Sequence, residues 1–500
     1  MSELPAFKDL VFYEIYPNSF YDANGDGFGD LKGIEEKLPY IKGLGFNAIW
    51  LNPIYDSPFL DGGYDVRDPF KVSPRFGTNE ELKGLVEKMH SLGMRLFLDL
   101  VPGHMSWENK DFLESGKGVR NDKYDLFVWN ENPWDLTPGY RMVSGLYDRH
   151  ACYMVNFFVH QPAINYGFYK ITEPKWQIPY KEAKGKDYLE KIMKFWLDYG
   201  VDGFRVDMAD SLVKNDDEKV ATIELWQTIL KDLKKDGYKD FYMTSEWSNP
   251  WRSLKAGFSS DFVLDHWDNF SHMLFRSHDD APAPLLHKYD EKRYQECLKD
   301  ILDRVKAYKT LGGRLSIISG NHDTWRIANY LNDEELRLAY LFLFTMPGVP
   351  YLYFGDELGA HTNLKLPSFE GGYQRTGSRT PMRWDSSKNA GFSKADHTFL
   401  PTIEGDPTVE EEEKNPDSLL HEVKKLVALR NQEEDLRSDD FEYLNEALAY
   451  SRGKIRVYIN LKDTDLRVDP KGQKIIHQLG DVKEEGKNLV LKRHAAIILK

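Results

Sequence analysis

Gly203-Phe204-Arg205-Val206-Asp207 is a short extended run closed by a carboxylate, and it sets the pattern of the whole chain. Successive side chains of a strand alternate between two faces, so Arg205 and Asp207 point the same way. Runs of the same make, apolar and β-rich, recur at Val11–Tyr16, Ala48–Asn52, Arg95–Leu100, Phe241–Ser245, Phe262–Leu264, Leu315–Ser319 and Val349–Phe354. Longer amphipathic stretches separate them, and that alternation is the signature of β–α units around a parallel sheet. With Gly203–Val206 there are eight such runs, the number that closes a (β/α)8 TIM barrel. The fold class is α/β.

In a barrel of this kind the reacting groups sit where the strands end, on the C-terminal face. Several of these runs end in polar or charged residues: Asp99 with His104 just beyond, Asp207, Glu246, Asp265, and His322 with Asp323. That coincidence is the main pointer to a site.

Working outward, the third run is followed by a long stretch without helical or strand period, Met105–Glu182, rich in Trp, Asn, Pro and Gly. A loop of that length in a compact domain reads as an inserted subdomain over the barrel mouth. Helical spacing resumes at Tyr188–Tyr199, a second irregular stretch covers Ala360–Asn415, and a helix is expected at Ser418–Asn431. From Phe441 the pattern turns to short alternating runs with Gly and Asp turns, a C-terminal antiparallel β-domain built as a sandwich or meander. The expected division is residues 1–104 and 183–431 for the barrel, 105–182 for the insertion and 432–500 for the β-domain.

Composition narrows the classes. Five hundred residues suit a barrel with appended pieces. The formal charge of −14, from 66 basic and 80 acidic residues, argues against a nucleic-acid partner, which needs a basic stripe. Two cysteines, Cys152 and Cys297, suggest neither a disulfide framework nor a thiolate zinc site. The N-terminus shows no basic region followed by an apolar core, and no window is apolar enough to span a bilayer, so a cytoplasmic protein with no membrane partner is expected. The acidic run Glu410–Glu413 reads as a solvated loop or helix start rather than a metal site. The aromatic share of 14 % can stack on sugar faces, though rings equally fill cores.

Paired carboxylates in distinct surroundings are what glycosidic cleavage needs: one protonated to release the leaving oxygen, the other ionised to attack the anomeric carbon. Arg205 beside Asp207 is expected to lower the carboxyl pKa and orient a nucleophile. Trp247 beside Glu246 is expected to desolvate that carboxyl and raise it, as an acid/base requires. Gly320-Asn321-His322-Asp323 supplies a third acid with a histidine.

These residues resemble the α-amylase superfamily, glycoside hydrolase family 13, over essentially the full length. The likeness is carried by Gly45–Pro53, Asp99–His104, Gly203–Asp207, Glu246-Trp247, Asn321–Asp323 and Gly348–Glu357. The resemblance implies Asp207 as nucleophile, Glu246 as general acid/base and Asp323 as transition-state stabiliser. It implies Arg205 as the orienter of Asp207, His104 and His322 as hydrogen-bond partners of the sugar, and Tyr64 as a ring beneath it. Asp61-Gly62-Gly63-Tyr64-Asp65 and Ser378–Asp385 are similar to the oligo-1,6-glucosidase and α-glucosidase group. There Asp61 and Arg379 would pair across the terminal sugar subsite and close it, favouring exo action on short oligosaccharides. Asp22–Asp30 presents oxygen donors at alternate positions, but its twelfth residue is Gly33, so it is not an EF-hand. The same group's use of this loop implies a structural calcium ion held by Asp22, Asn24, Asp26, the Phe28 carbonyl and Asp30.

The chain also departs from the family. Gly103 stands where many α-amylases carry a calcium-binding Asn, so no ion is expected there. Ala163 and Ile164 replace the usual Asp and Leu, and Met208 after the nucleophile matches neither of the common linkage groups. The expected activity is a retaining α-glucoside hydrolase or transglucosylase acting on a small oligosaccharide. An endo-acting α-amylase, a glucosyltransferase or phosphorylase on sucrose or maltose-like substrates, and a non-catalytic sugar-binding homologue stand as alternatives.

Overall fold

The computed structural model describes all residues except 1–2, 135–138, 145, 267–268, 278–281, 372–374 and 446. The irregular stretches 105–182 and 360–415 each contain a few residues outside that set. Eight parallel strands close the barrel: β1 (Phe12–Ile15), β2 (Ala48–Leu51), β3 (Arg95–Leu100), β4 (Gly203–Val206), β5 (Tyr242–Ser245), β6 (Ser260–Val263), β7 (Arg314–Ile318) and β8 (Val349–Tyr353). Each strand neighbours the next in sequence, and β1 pairs with β8. The eight expected strands are all present within one or two residues. The largest shift is at β6, which begins at Ser260 because Thr244 and Ser245 of β5 pair with Ser260 and Asp261. Two serines have little strand propensity of their own, and the neighbouring strand supplies what sequence does not.

Helices α1 (Leu31–Gly43), α2 (Asn79–Ser91), α3 (Gly185–Asp198), α4 (Val220–Lys235), α5 (Glu291–Leu311), α6 (Asp333–Thr345) and α7 (Leu419–Gln432) alternate with the strands or follow them. Asp30, Thr78, Asp290, Asn332 and Ser418 cap α1, α2, α5, α6 and α7 with side-chain oxygens, which satisfies first-turn N–H groups. None of the described helices is long and apolar enough to cross a membrane. Glu410–Glu413 falls in a short helix, Val409–Lys414, opened by a Thr408–Glu411 capping box.

The described residues divide into two compact units. One comprises Trp50–Asp261 and Ser368–Tyr373, the other Ser2–Ile49, Phe262–Pro367 and Gln374–Lys500. In the first, the insertion after β3 is more ordered than its sequence suggests. It carries a helix, Lys110–Ser115, and a small antiparallel sheet in which Cys152–Met154 pairs with both Trp129–Asn130 and Met142–Ser144. Val128, Met154, Ala163, Phe168 and Trp176 form its core. In the second unit the C-terminal region is two antiparallel sheets of five and three strands. Ala449, Tyr458 and Ile497 of one sheet pack with Val468, Leu489 and Leu491 of the other, which makes it a sandwich.

Candidate active site

Strand register builds the first part of the site. Val206 pairs with Leu100 on one side and Ser245 on the other, so Asp207 and Glu246 leave adjacent strands at the same level. Both continue the ladder by one bond, from Asp207 N–H to Leu100 O (2.9 Å) and from Glu246 N–H to Val206 O (3.0 Å). Arg205, 1 % exposed, is the hub. Its Nη1 lies 2.8 Å from Asp99 and 3.1 Å from Asp207, and its Nη2 lies 2.7 Å from Glu246. Asp99 also accepts from the Tyr64 hydroxyl (2.8 Å) and the Trp50 indole N–H (3.2 Å). Glu246 accepts a second bond from the Met208 N–H at 3.0 Å, which Met208 aims by adopting φ +41°. A positive φ at a residue with a large side chain is costly, and here it falls directly beside the reacting carboxylates.

One guanidinium serving three carboxylates overturns part of the sequence expectation. Burial and the neighbouring Glu246 carboxylate push Asp207 well above the ordinary carboxylate range, outweighing the pull of Arg205. Buried beside Glu246, Asp207 keeps its proton beyond the pH at which free carboxyls lose theirs. The Trp247 ring packs edge-on to Phe258 at 6.5 Å, and Glu246 lies against Arg205, Asp207 and the Met208 N–H.

The same unit places Asp61, Tyr64 and His104. Asp65 ties its loop together by accepting from Ser57 Oγ and from the N–H groups of Leu60 and Asp61. Burial pushes Asp65 up to about 7. Gly63, at φ +101°, allows the turn to pass Pro53 O, which a Cβ there would approach to 3.0 Å. Asp61 accepts from Gln161 Nε2 at 2.7 Å, and Gln161 is fully buried. His104 Nε2 donates to Tyr64 O (3.2 Å), leaving Nδ1 to accept from Asn156 Nδ2 (3.2 Å). Burial lowers His104 to about 3, so it is neutral. Gly103 makes the Asn156 contact possible, because a Cβ there would lie 2.6 Å from Asn156 Nδ2. Lys214 completes the row, donating to Asn156 Oδ1 (3.1 Å) and Ser211 O (2.6 Å), with burial lowering its pKa to about 8. Ala163 is a core residue of the insertion.

The second unit holds Asp323 in a turn after β7. Arg375 Nη1 lies 2.7 Å and Arg379 Nη2 3.0 Å from its Oδ1, and His322 Nε2 lies 3.1 Å from its Oδ2. Burial alone would push Asp323 upward, but His322, Arg375 and Arg379 hold it well below the usual range. His322 stacks on Tyr16 at 6.3 Å, and its Nδ1 lies 3.0 Å from Glu14 Oε1. Arg379 also donates from Nε to His322 O at 2.9 Å.

Sequence reading did not single out Gln161, Asn156, Lys214, Arg375 or Glu14. Asp99 was visible as a strand-end acid, yet its place under Arg205 was not. In the expected calcium loop the side-chain oxygens accept from loop N–H groups, and Asp22 accepts as well from Ser393 Oγ at 2.5 Å. Asp22 accepts from the N–H groups of Gly25 and Gly27, Asn24 from Asp26, Asp26 from Phe28, and Asp30 from Ala23, Asn24 and Gly33. Among the described residues no three acidic, histidine or cysteine side chains gather as a metal site.

A closed parallel barrel with carboxylates bridged by arginine at adjacent strand ends is the frame of a barrel enzyme. The alpha-amylase catalytic domain matches residues 14–439, and the chain belongs to that family of glycoside hydrolases. It is 32 % identical to the glucan 1,6-alpha-glucosidase of Streptococcus pneumoniae, over 92 % of this chain and 90 % of that protein. It is 30 % identical to the trehalose synthase/amylase TreS of Mycolicibacterium smegmatis, over 89 % of this chain and 80 % of that protein. The solved alpha-amylase from H. orenii superposes with a TM-score of 0.79 at 26 % identity, covering 98 % of each chain.

Proposed function

We propose that this chain is a retaining enzyme that removes terminal glucosyl units from short α-gluco-oligosaccharides and passes them to water or to another sugar. The observation that carries the reading is Arg205 held at once against Asp99, Asp207 and Glu246. In the first step an ionised Asp207 attacks the anomeric carbon while Glu246 gives its proton to the leaving oxygen. The glucosyl–Asp207 ester is then opened by water or a sugar hydroxyl, whose proton returns to Glu246. The proton that burial keeps on Asp207 passes to Glu246 before the attack, which leaves Asp207 ionised and Glu246 in its acid form. Asp323, kept ionised by His322, Arg375 and Arg379, suits the role of binding hydroxyls as positive charge develops on the ring.

Action at a terminal bond rests on the likeness of Asp61–Asp65 and Ser378–Asp385 to the oligo-1,6-glucosidase and α-glucosidase group. The names of the relatives put α-1,6-linked glucosides first among substrates, with transfer to a second sugar next. Product analysis on isomaltose, maltose, sucrose, trehalose and starch tests this. Release of glucose from the disaccharides, and of glucose before longer products from starch, supports exo action. Maltotriose and larger sugars appearing first from starch would favour an endo-acting α-amylase. A rise of new oligosaccharides at high sugar concentration, or of a sugar phosphate on adding phosphate, would favour transfer or phosphorolysis.

A structural calcium ion in the Asp22–Asp30 loop belongs to the same reading, supported by the alternate spacing of its oxygen donors. Binding requires Asp22, Asp26 and Asp30 to exchange loop N–H partners for the ion. Calcium at a hundredfold excess over Kd stabilises by about 2.7 kcal/mol; a melting temperature indifferent to chelator and calcium removes the ion from the account. A cytoplasmic location is supported by the low cysteine count, with Cys152 and Cys297 both buried and far apart in sequence, and cell fractionation checks it.

A further inference from the structure

Glu14 has no part in the mechanism above, yet it is a fully buried carboxylate in the middle of a barrel strand. It sits third in β1, in register with Tyr353 of β8, among Phe12, Tyr13 and Ile15. A carboxylate at such a place must be paired or protonated, because isolated burial of its charge is prohibitive. Its Oε1 lies 3.0 Å from Nδ1 of His322, itself fully buried. The other ring nitrogen, Nε2, lies 3.1 Å from Oδ2 of Asp323. A neutral imidazole has one N–H and one lone pair, and the lone pair cannot face a carboxylate oxygen at such range without repulsion. With Glu14 and Asp323 both ionised, both nitrogens carry hydrogen.

We infer that Glu14 is a positioning residue that holds His322 as an imidazolium, so that Nε2–H is fixed on Asp323 and on the sugar hydroxyls that Asp323 binds. The inference rests on the role given to Asp323 under Proposed function. Removing the Glu14 charge leaves His322 with one anionic partner instead of two, in a pocket whose burial favours the neutral ring. The direction of the histidine pKa agrees: burial pulls it down, but Asp323 and Glu14 together bring it above the ordinary value. Tyr16 stacks on the ring, Arg375 and Arg379 face Asp323, and Tyr353 lies beside Glu14 with Arg326 over its own ring at 4.5 Å. Tyr353 is pushed well above its usual value by burial, and an imidazole is the side chain whose ordinary charge change falls near neutrality.

The test is kcat/KM on p-nitrophenyl α-D-glucoside from pH 4.5 to 8.5 for the wild type, Glu14→Gln, His322→Gln and the double variant. The expected result is a Glu14→Gln profile whose alkaline limb lies about one pH unit lower. Its loss of about tenfold at pH 7.5 is largely recovered at pH 5, where the ring protonates again. In the His322→Gln background, Glu14→Gln is expected to leave the shape of the profile unchanged. A Glu14→Gln profile parallel to the wild type, whether lower or superimposed, overturns the inference, because a merely structural residue would scale activity at every pH alike. The second measurement needs no variant of Glu14. In the 15N-histidine-labelled wild-type enzyme, the His322 signal, assigned by its loss in His322→Gln, is expected to show two protonated ring nitrogens at pH 7. A singly protonated ring there refutes the inference even if Glu14→Gln does not fold. A wild type inert on every α-glucoside would instead refute the functional reading, and the 15N result would still decide the state of the ring.

Discussion

Asp207 and Glu246 share Arg205, and their substitution should separate two chemical duties. Glu246→Gln removes the proton donor and should cut turnover of isomaltose by about 10²–10⁴-fold, the usual contribution of a positioned acid. The loss of the bond-breaking step should be smaller on p-nitrophenyl α-D-glucoside, whose leaving group departs without protonation. Asp207→Asn removes the attacking atom and should lower both substrates together; equal losses for the two variants on both substrates would contradict the division of roles. At this scale the sequence was legible wherever a charged residue ended an apolar strand, which is why Asp207, Glu246 and Asp323 stood out. It was not legible for charge states. Arg205 beside Asp207 promised a lowered pKa, and burial together with the neighbouring Glu246 and Asp99 carboxylates reverses it. Glu14 was invisible because its partner His322 lies 308 residues away.

Between elements, Glu357 after β8 joins strand to helix by accepting from the hydroxyls of Tyr13 in β1 (2.5 Å) and Tyr40 in α1 (2.8 Å). Burial pushes its pKa up to about 7 from an ordinary 4.5. The folded protein therefore binds this proton between about pH 4.5 and 7 while the unfolded chain does not, and stability falls as pH rises through that window. Above it the penalty stays at about 3 kcal/mol at most, from 1.36 kcal/mol per pKa unit. Glu357→Gln, which still accepts from both tyrosines, should flatten the decline of melting temperature between pH 5 and pH 8. An unchanged slope would show that Glu357 is not the group responsible. The barrel strands were readable as elements because each is a four- to six-residue apolar run. The sheet of the insertion was not, since Trp129–Asn130 and Cys152–Met154 are too short to show a period of two.

Across the second unit, the C-terminal sandwich is fastened by two buried arginines that have backbone carbonyls for partners. Arg430 of α7 donates to Phe344 O, Met346 O and Gly348 O. Arg452 donates to Thr345 O, Leu436 O, Ser438 O and Asp440 O. Both receive the carbonyls released where α6 ends, so barrel and sandwich close on a common point. Burial lowers both arginine pKa values, that of Arg452 to about 10. Arg452→Met would strand those carbonyls, at roughly 1–3 kcal/mol for each that finds no water. A melting temperature several degrees lower, with substrate KM unchanged, is the expected outcome; an unaltered melting temperature would mean that the sandwich is held by apolar packing alone. The β-domain itself was legible from its alternating runs, whereas its anchor was not, because nothing in the sequence marks an arginine whose partners are main-chain oxygens. For the enzyme as a whole, the claim on which the rest depends is double displacement at Asp207, and the anomer of the first product reports on it directly. Proton NMR in the first minutes of p-nitrophenyl α-D-glucoside hydrolysis should show α-glucose forming ahead of mutarotation. β-Glucose appearing first would mean a single displacement by water and would contradict the account.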